Sequence, residues 1–380
     1  MNRIFFRKFA LLLSICSLLM TFGCQHDPPE PPSVSNCISA TGDLTAIAYN
    51  PTPATLAIPS TFPPMVPAPD NPLTVEGIQL GRKLFYDPIL SVDSTMSCFS
   101  CHMQTGNFTD NLDVSEGVDQ IAGSRSAMPL LNLAFNHNGF FWDGRSNTLE
   151  EQSEIPVEDE IELHNTWDEV ICRLTVHDDY PTYFREAFGI EDKAEITKEM
   201  AAKAIAQFER SIISGNSKYD RFLRNELFLD DDELAGHDMY FDLAPNKIRF
   251  PDVECGHCHG GPLLTTNEFL NNGIQEAATL QDFNDLGLGG ITEIPADNGK
   301  FRVPTLRNIE HSAPYMHGGQ FETLKEVIDH YSSGGKSSPN KDVLIYQINL
   351  DSIQKTEILA FLKTFTDTTF LNNQEFSNPF

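Results

Sequence analysis

The sequence predicts a mainly α protein built from two tandem domains of one helical design. Three observations predict it. A five-residue run, C-x-x-C-H, occurs twice, as Cys98-Phe99-Ser100-Cys101-His102 and as Cys255-Gly256-His257-Cys258-His259. A similar helical segment stands ahead of each run, Gly81-Arg82-Lys83-Leu84-Phe85-Tyr86-Asp87 and Gly236-His237-Asp238-Met239-Tyr240-Phe241-Asp242, so the chain carries an internal repeat. Apolar residues recur at helical spacing, and alternating strand patterns are scarce.

The spacing inside each run suits one chemistry. Two thiols three positions apart on a helical turn can each add to a vinyl group of the same porphyrin. The next imidazole, His102 or His259, then faces the iron as the proximal ligand. A zinc knuckle would need its two C-x-x-C pairs close together, whereas Cys101 and Cys255 are separated by most of a domain. A redox dithiol leaves the His after both pairs unexplained. Each repeat therefore reads as a cytochrome c domain with one covalently attached c-type haem: an N-terminal helix, a haem-binding turn, a long loop and a closing helix. Two such domains in one chain suggest electrons passing between two irons.

Residues 1–24 read as a targeting segment. Arg3, Arg7 and Lys8 precede an apolar run from Phe9 to Phe22, which has the length of a signal h-region and is too short to span a bilayer. Gly23-Cys24 resembles a bacterial lipoprotein cleavage site with Cys24 as the acylated residue, although Thr21 stands where that pattern prefers Leu. Export agrees with haem attachment, which bacteria carry out outside the cytoplasm. The expected location is periplasmic, with a lipid anchor through Cys24.

Residues 25–72 are Pro-rich and read as a tether. The first domain spans 73–232. Its opening helix has Thr74 as N-cap, Val75, Ile78, Leu84 and Phe85 as apolar positions, and an end at Asp87-Pro88. Its closing helix carries Met200, Ala204, Ile205, Phe208 and Ile212. An acidic turn at Asp230-Asp231-Asp232 marks the boundary. The second domain spans 233–380 and closes on Ile353, Ile358, Leu359, Leu362 and Phe365. Trp167 reads as the core of an amphipathic helix. Two further cysteines, Cys37 and Cys172, are able to pair in an oxidising compartment. Cys172, within Val170-Ile171-Cys172-Arg173-Leu174, reads more simply as a small buried apolar residue.

Lys and Arg total 26 against 54 Asp and Glu, for a net charge of -28. Such a balance argues against nucleic acid or an anionic membrane surface as partner. It suits the steering of a cationic redox protein, and equally a plain acidic surface.

From about Leu73 to Asp367 the chain resembles the bacterial di-haem cytochrome c peroxidase and MauG family. The resemblance is carried by Leu80-Gly81-Arg82-Lys83-Leu84-Phe85-Tyr86-Asp87-Pro88, Phe141-Trp142-Asp143-Gly144-Arg145, Val303-Pro304-Thr305-Leu306-Arg307-Asn308 and Ala313-Pro314-Tyr315-Met316-His317-Gly318-Gly319, together with both C-x-x-C-H runs. It implies an enzyme that reduces hydrogen peroxide at the N-terminal haem with electrons relayed by the C-terminal haem.

By the same resemblance Glu162 is the carboxylate that moves a proton during peroxide cleavage, and Gln152 and Pro156 stand at family positions beside it. Glu160 is its near competitor in the acidic run Glu158-Asp159-Glu160-Ile161-Glu162. Val118 stands where many members have a distal His, and His137 is out of register, which implies an N-terminal haem with one protein ligand and no reductive gating. Trp142 fits the relay position between the haems. Tyr331 falls at the register of the second ligand of the C-terminal haem, where MauG-like members use Tyr and peroxidases use Met. Met316 is the alternative ligand, and His330, one position off, is expected to face elsewhere. Calcium is implied near the interface, with Ser312 and Pro314 at the carbonyl-donating positions, but the family's Asn side chain has no counterpart in Ser124-Arg125-Ser126-Ala127-Met128-Pro129.

Two functions compete. One is a peroxidase, with a small cytochrome c or a protein substrate as electron donor and MauG-like oxidation as a variant. The other is a non-catalytic di-haem electron-transfer cytochrome, which would gain from two fully ligated irons. Glu162 without a distal His favours the first. The resemblance leaves a homodimer open.

Overall fold

The computed structural model describes residues 40–380. The expected signal segment, Cys24 and Cys37 lie outside the described residues. Among those residues there are thirteen α-helices and two strands of two residues each, so the class is mainly α. No helix among them is long and apolar enough to cross a membrane.

Residues 43–74 are irregular and lie along the helical body. The Leu44 amide donates to the Glu191 carbonyl and the Val66 amide to that of Ala134, both at 2.8 Å. The first helix, α1 (Val75–Tyr86), starts where the Thr74 side chain accepts from the Gly77 amide and stops because Pro88 follows Asp87. Its buried stripe is Gly77, Leu80, Gly81, Leu84 and Phe85. Val75, expected among the apolar positions, sits off that stripe and is exposed. A single turn, α2 (Cys98–Cys101), carries the first thiol pair. Helices α3 (Leu149–Glu158), α4 (Trp167–Val176) and α5 (Tyr180–Phe188) follow. Trp167 is buried, as expected. Cys172 is buried and disulfide-bonded, which corrects its reading as a plain apolar residue.

The closing helix of the first half, α6 (Lys198–Ser211), crosses α1 at Gly81, where an added Cβ would overlap the Ala204 carbonyl and press on Phe208. Only glycine lets the two backbones approach so closely. Helix α7 (Lys218–Leu223) leads to α8 (Asp231–Tyr240), whose N-cap is Asp230 in a capping box with Glu233. The expected acidic turn is thus the first turn of a helix, where carboxylates favour the positive end of the macrodipole.

Another single turn, α9 (Cys255–Cys258), carries the second thiol pair. Strands β1 (Phe269–Leu270) and β2 (Phe301–Arg302) pair antiparallel, Phe269 with Arg302 and Leu270 with Phe301, with the short α10 (Gly289–Thr292) between them. After α11 (Leu324–Ser333), helix α12 (Ser352–Lys363) crosses α8 at Gly236, on the Glu357 carbonyl and Phe361. The crossing repeats that of α1 and α6. Ile353, expected in the core, is exposed in the first turn, while Phe361 and Phe365 are fully buried. A last turn, α13 (Thr368–Leu371), packs Phe370 against Phe108 of the first half. Between the halves of the sequence runs a buried ion pair. Arg307 meets Asp220 of α7 with two bonds of 2.7 and 2.8 Å, both side chains only 1 % exposed.

Candidate haem cavities and active site

Helix α2, one turn long, starts at a capping box formed by Ser97 and Ser100. His102 ends it, its amide bonded to the Cys98 carbonyl at 3.0 Å. The His102 ring meets the Phe108 carbonyl through Nδ1 at 2.8 Å. That bond fixes the tautomer and leaves Nε2 for a metal. Burial holds the imidazole below its usual pKa, in the neutral form that ligates.

Cys101 and His102 line a cavity of about 460 Å³. Cys98 packs at the core on the same turn. The other polar groups around this cavity come from α3 and the loop after it. Gln152 and Pro156, four apart on one face of α3, both line it. Pro156 has no N–H to offer the Gln152 carbonyl, and Gln152 Oε1 is buried without a partner.

Glu162 also lines the cavity, whereas Glu160 is exposed and does not. Its backbone is pinned: the Glu162 amide donates to Asp159 at 3.0 Å, and its carbonyl accepts from Val118 at 2.9 Å. Burial, reinforced by Asp159 and offset by Arg145, pushes the Glu162 carboxyl up to about 7. His137 is exposed, and His164 pairs with Asp119, leaving His102 as the one histidine lining this cavity among the described residues.

The second cavity, about 180 Å³, repeats the motif with a different lining. The His259 amide bonds the Cys255 carbonyl at 2.8 Å, and its Nδ1 meets the Pro304 carbonyl at 3.0 Å, again leaving Nε2. Burial holds this imidazole down to about 4. Cys255, Cys258, His259, Met316 and Tyr331 all line the cavity. Burial pushes the Tyr331 phenol up to about 12, while a hydrogen bond from Asn272 acts to lower it. His330 turns its Nε2 to the Asn272 carbonyl at 3.0 Å, and does not line the cavity.

Trp142 borders both cavities, with its indole N–H donated to the Ser126 carbonyl at 2.9 Å. Two residues that the sequence did not single out share or edge these spaces. Arg302 borders both cavities and spends its guanidinium on Asn136 and the carbonyls of Phe141, Asn138 and Gly139. Asn272 touches both Tyr331 and Met316. Ser312 lies in the loop before Tyr315, its Oγ accepting from Asn107 at 2.9 Å, with Pro314 two residues on.

The residues present fit two thioether-linked haems. Four half-buried cysteines are unpaired with one another, each imidazole is oriented by a carbonyl, and an orphaned acceptor marks the larger cavity. Residues 75–227 match the family model described as di-haem cytochrome c peroxidase. The chain is 32% identical over 337 residues to methylamine utilization protein MauG of Methylorubrum extorquens, covering 87% of this chain and 90% of that one. It is 32% identical over 297 residues to cytochrome c551 peroxidase of Nitrosomonas europaea, 78% of this chain and 81% of the other. Among solved structures, a MauG-like protein associated with microbial copper homeostasis matches with a TM-score of 0.77 at 35% identity, over 86% of this chain and 99% of that one.

Proposed function

The chain belongs to the bacterial di-haem cytochrome c peroxidase and MauG family, and from that premise we propose that the cavity around His102 reduces hydrogen peroxide with electrons relayed through the cavity around His259. Membership makes the protein a peroxidase-type oxidoreductase and implies two haem c groups. Cys98, Cys101 and His102 would hold the first, and Cys255, Cys258, His259 and Tyr331 the second. Haem c supplies the redox-active iron at which peroxide is bound and reduced.

The protein's own part is proton traffic and orientation. Glu162 takes the proton from the inner oxygen of peroxide and returns it to the departing oxygen, which leaves as water. A carboxyl held at about 7 is present as both acid and base near neutrality, which suits a group that must accept and then donate. Gln152 Oε1, free of other partners, accepts from a peroxide hydroxyl and orients it, and the Pro156 ring forms an apolar wall beside it. Trp142, bordering both cavities, relays charge between them.

Tyr331 carries the finer reading. A phenolate is a harder ligand than a thioether and favours the oxidised iron. The second haem is then a poor acceptor from a high-potential cytochrome, which moves the substrate toward a protein or small molecule oxidised in the MauG manner. Among cytochromes, this leaves a small cytochrome c of low potential as the donor. Export to the periplasm accompanies this reading, as does calcium held through the Ser312 and Pro314 carbonyls; metal analysis of the purified protein checks the latter.

The observation that carries the proposal is the meeting, in one cavity, of a C-x-x-C-H imidazole and a carboxyl held near neutrality. The holoprotein should consume peroxide with a reduced small cytochrome c, and Glu162→Gln should abolish most of that turnover. A holoprotein that consumes none, with any donor, is instead a di-haem electron carrier.

A further inference from the structure

We propose that Asn272 decides which of two side chains, Tyr331 or Met316, becomes the second ligand of the C-terminal haem iron. The inference rests on the reading of the second cavity given above. Asn272 lies just after β1, in Asn271-Asn272-Gly273. Its side-chain oxygen accepts from the Ile274 amide at 3.2 Å, and its backbone carbonyl accepts from His330 at 3.0 Å. The backbone therefore occupies the oxygen end of the amide, and the N–H end is left for other acceptors. That nitrogen stands 3.1 Å from Tyr331 Oη and 3.3 Å from Met316 Sδ.

One donor thus reaches both side chains able to complete the coordination of the haem that His259 holds. The two acceptors are unequal. A phenol oxygen accepts well, and better still when it carries charge, whereas a thioether sulfur is a weak acceptor. Donation from Asn272 stabilises a charged oxygen on the metal and gives little to a sulfur. With the amide in place, Tyr331 holds the position. Without it, Met316, a common partner of c-type haem, competes on better terms. Asn272 is a positioning residue: it acts through the ligand and not on the substrate.

The test uses the full-length holoprotein with both haems. Asn272→Asp keeps the oxygen that accepts from Ile274 and removes the donor. Asn272→Leu removes both, and haem content checks that each variant is assembled. The expected result in Asn272→Asp is a shift in the ratio of sulfur-ligated to oxygen-ligated C-terminal haem. It should be roughly tenfold or more, the worth of one hydrogen bond to a charged acceptor. The shift is read in the red absorption of a thioether-ligated haem and in a raised midpoint potential, and it should vanish in Asn272→Asp combined with Met316→Leu. An unchanged spectrum and potential in both single variants overturns the role of Asn272. Tyr331→Phe separates that failure from a failure of the underlying reading. If Tyr331→Phe also leaves the spectrum unchanged, Tyr331 is no ligand and the reading itself falls. If it changes the spectrum while the Asn272 variants do not, only the present inference falls.

Discussion

The two cavities are built on the same motif and the same helix crossing, yet beyond the Trp142, Arg302 and Pro304 that border both, their linings differ in kind. The first is the larger, about 460 against 180 Å³, and gathers an acid, an amide and a proline around its imidazole. The second is apolar and brings a phenol and a thioether to its imidazole. The first cavity takes none of its lining from α1 or α6, whereas Tyr240 of α8 and Ile358 and Leu362 of α12 add to the apolar wall of the second. The groups that set the two apart come from the segments between the repeated helices: α3 and the turn at Glu162 in one half, the Met316 loop and α11 in the other. The repeat supplies two equivalent scaffolds, and the intervening segments make one cavity roomy and protic and the other small and apolar.

The largest effect that tests this contrast is on turnover. Glu162→Gln removes the group we propose moves the proton and should lower peroxide turnover by about 10²–10⁴-fold, with haem content unchanged. In the wild type, the carboxylate form must accept the proton first, so kcat/KM for peroxide should rise with pH through about 7 and level above it. A flat profile, or one that falls over that range, would assign the proton transfer elsewhere. Glu160→Gln, at an exposed position, should leave both rate and profile unaltered.

The next contrast is between ion pairs. Arg307 and Asp220 are both almost fully buried, whereas the comparable bidentate pair of the first half, Arg210 with Glu150, is 11 % and 21 % exposed. Arg307→Leu strands the Asp220 carboxylate in the interior and should cost about 3–5 kcal/mol. Arg210→Leu leaves Glu150 partly hydrated and bonded to Asn71, and should cost clearly less. Denaturant melts of the two variants side by side would expose a similar cost if the asymmetry of burial is unimportant.

A smaller effect concerns α6 and α12 themselves. Gly81 rests on Ala204 and Phe208, and Gly236 on Glu357 and Phe361, so the position after the Phe is Glu209 in one helix and Leu362 in the other. Leu362 lines the second cavity. Glu209 is buried, its Oε2 has no partner, and burial pushes its carboxyl up to about 8. An acid held above its unfolded value binds its proton more tightly when folded. Stability is therefore lost as pH rises from the ordinary Glu range toward 8, and is flat beyond. Glu209→Gln should match the wild type near pH ~5 and become the more stable of the two by a few kcal/mol at most near pH ~8. Equal melting differences at both values would show that Glu209 does not titrate in that window.

Much of this was legible in the sequence because the informative residues are neighbours there. The C-x-x-C-H runs, the Thr74 cap and the Gly81 and Gly236 repeats each declare themselves within a few positions. The segment reaching the first cavity at Glu162 was found through a family register, since nothing local separates Glu162 from Glu160 before the fold buries one and exposes the other. Asn272 and Arg302 were invisible. Asn271-Asn272-Gly273 reads as an ordinary turn, and the partners that give Asn272 meaning lie 44 and 59 positions away. Val75 and Ile353 misled for a simpler reason. Both fall in first turns, where one apolar residue does not define which side of the helix will face the core.

The repeat itself can be broken at its two glycines. In α1 and in α8 the same residue lets the helix touch the carbonyl of its partner, Ala204 or Glu357. Neither glycine has a positive φ, so alanine is acceptable to the backbone and would raise helix propensity. The only penalty is the methyl group at the crossing. Overpacking of this kind costs about 1–3 kcal/mol, and the crossing cannot open without disturbing Phe208 in one half or Phe361 in the other. Gly81→Ala and Gly236→Ala should therefore lower the melting temperature by similar amounts, despite the dissimilar cavities beside them. Each should act on its own half: the spectrum of the haem bound by His102 should respond to Gly81→Ala, and that of the haem bound by His259 to Gly236→Ala. A variant that perturbs both haems equally would mean that the two crossings are one cooperative unit, and that the separation of the scaffold into two equivalent parts holds for the sequence but not for the folded protein.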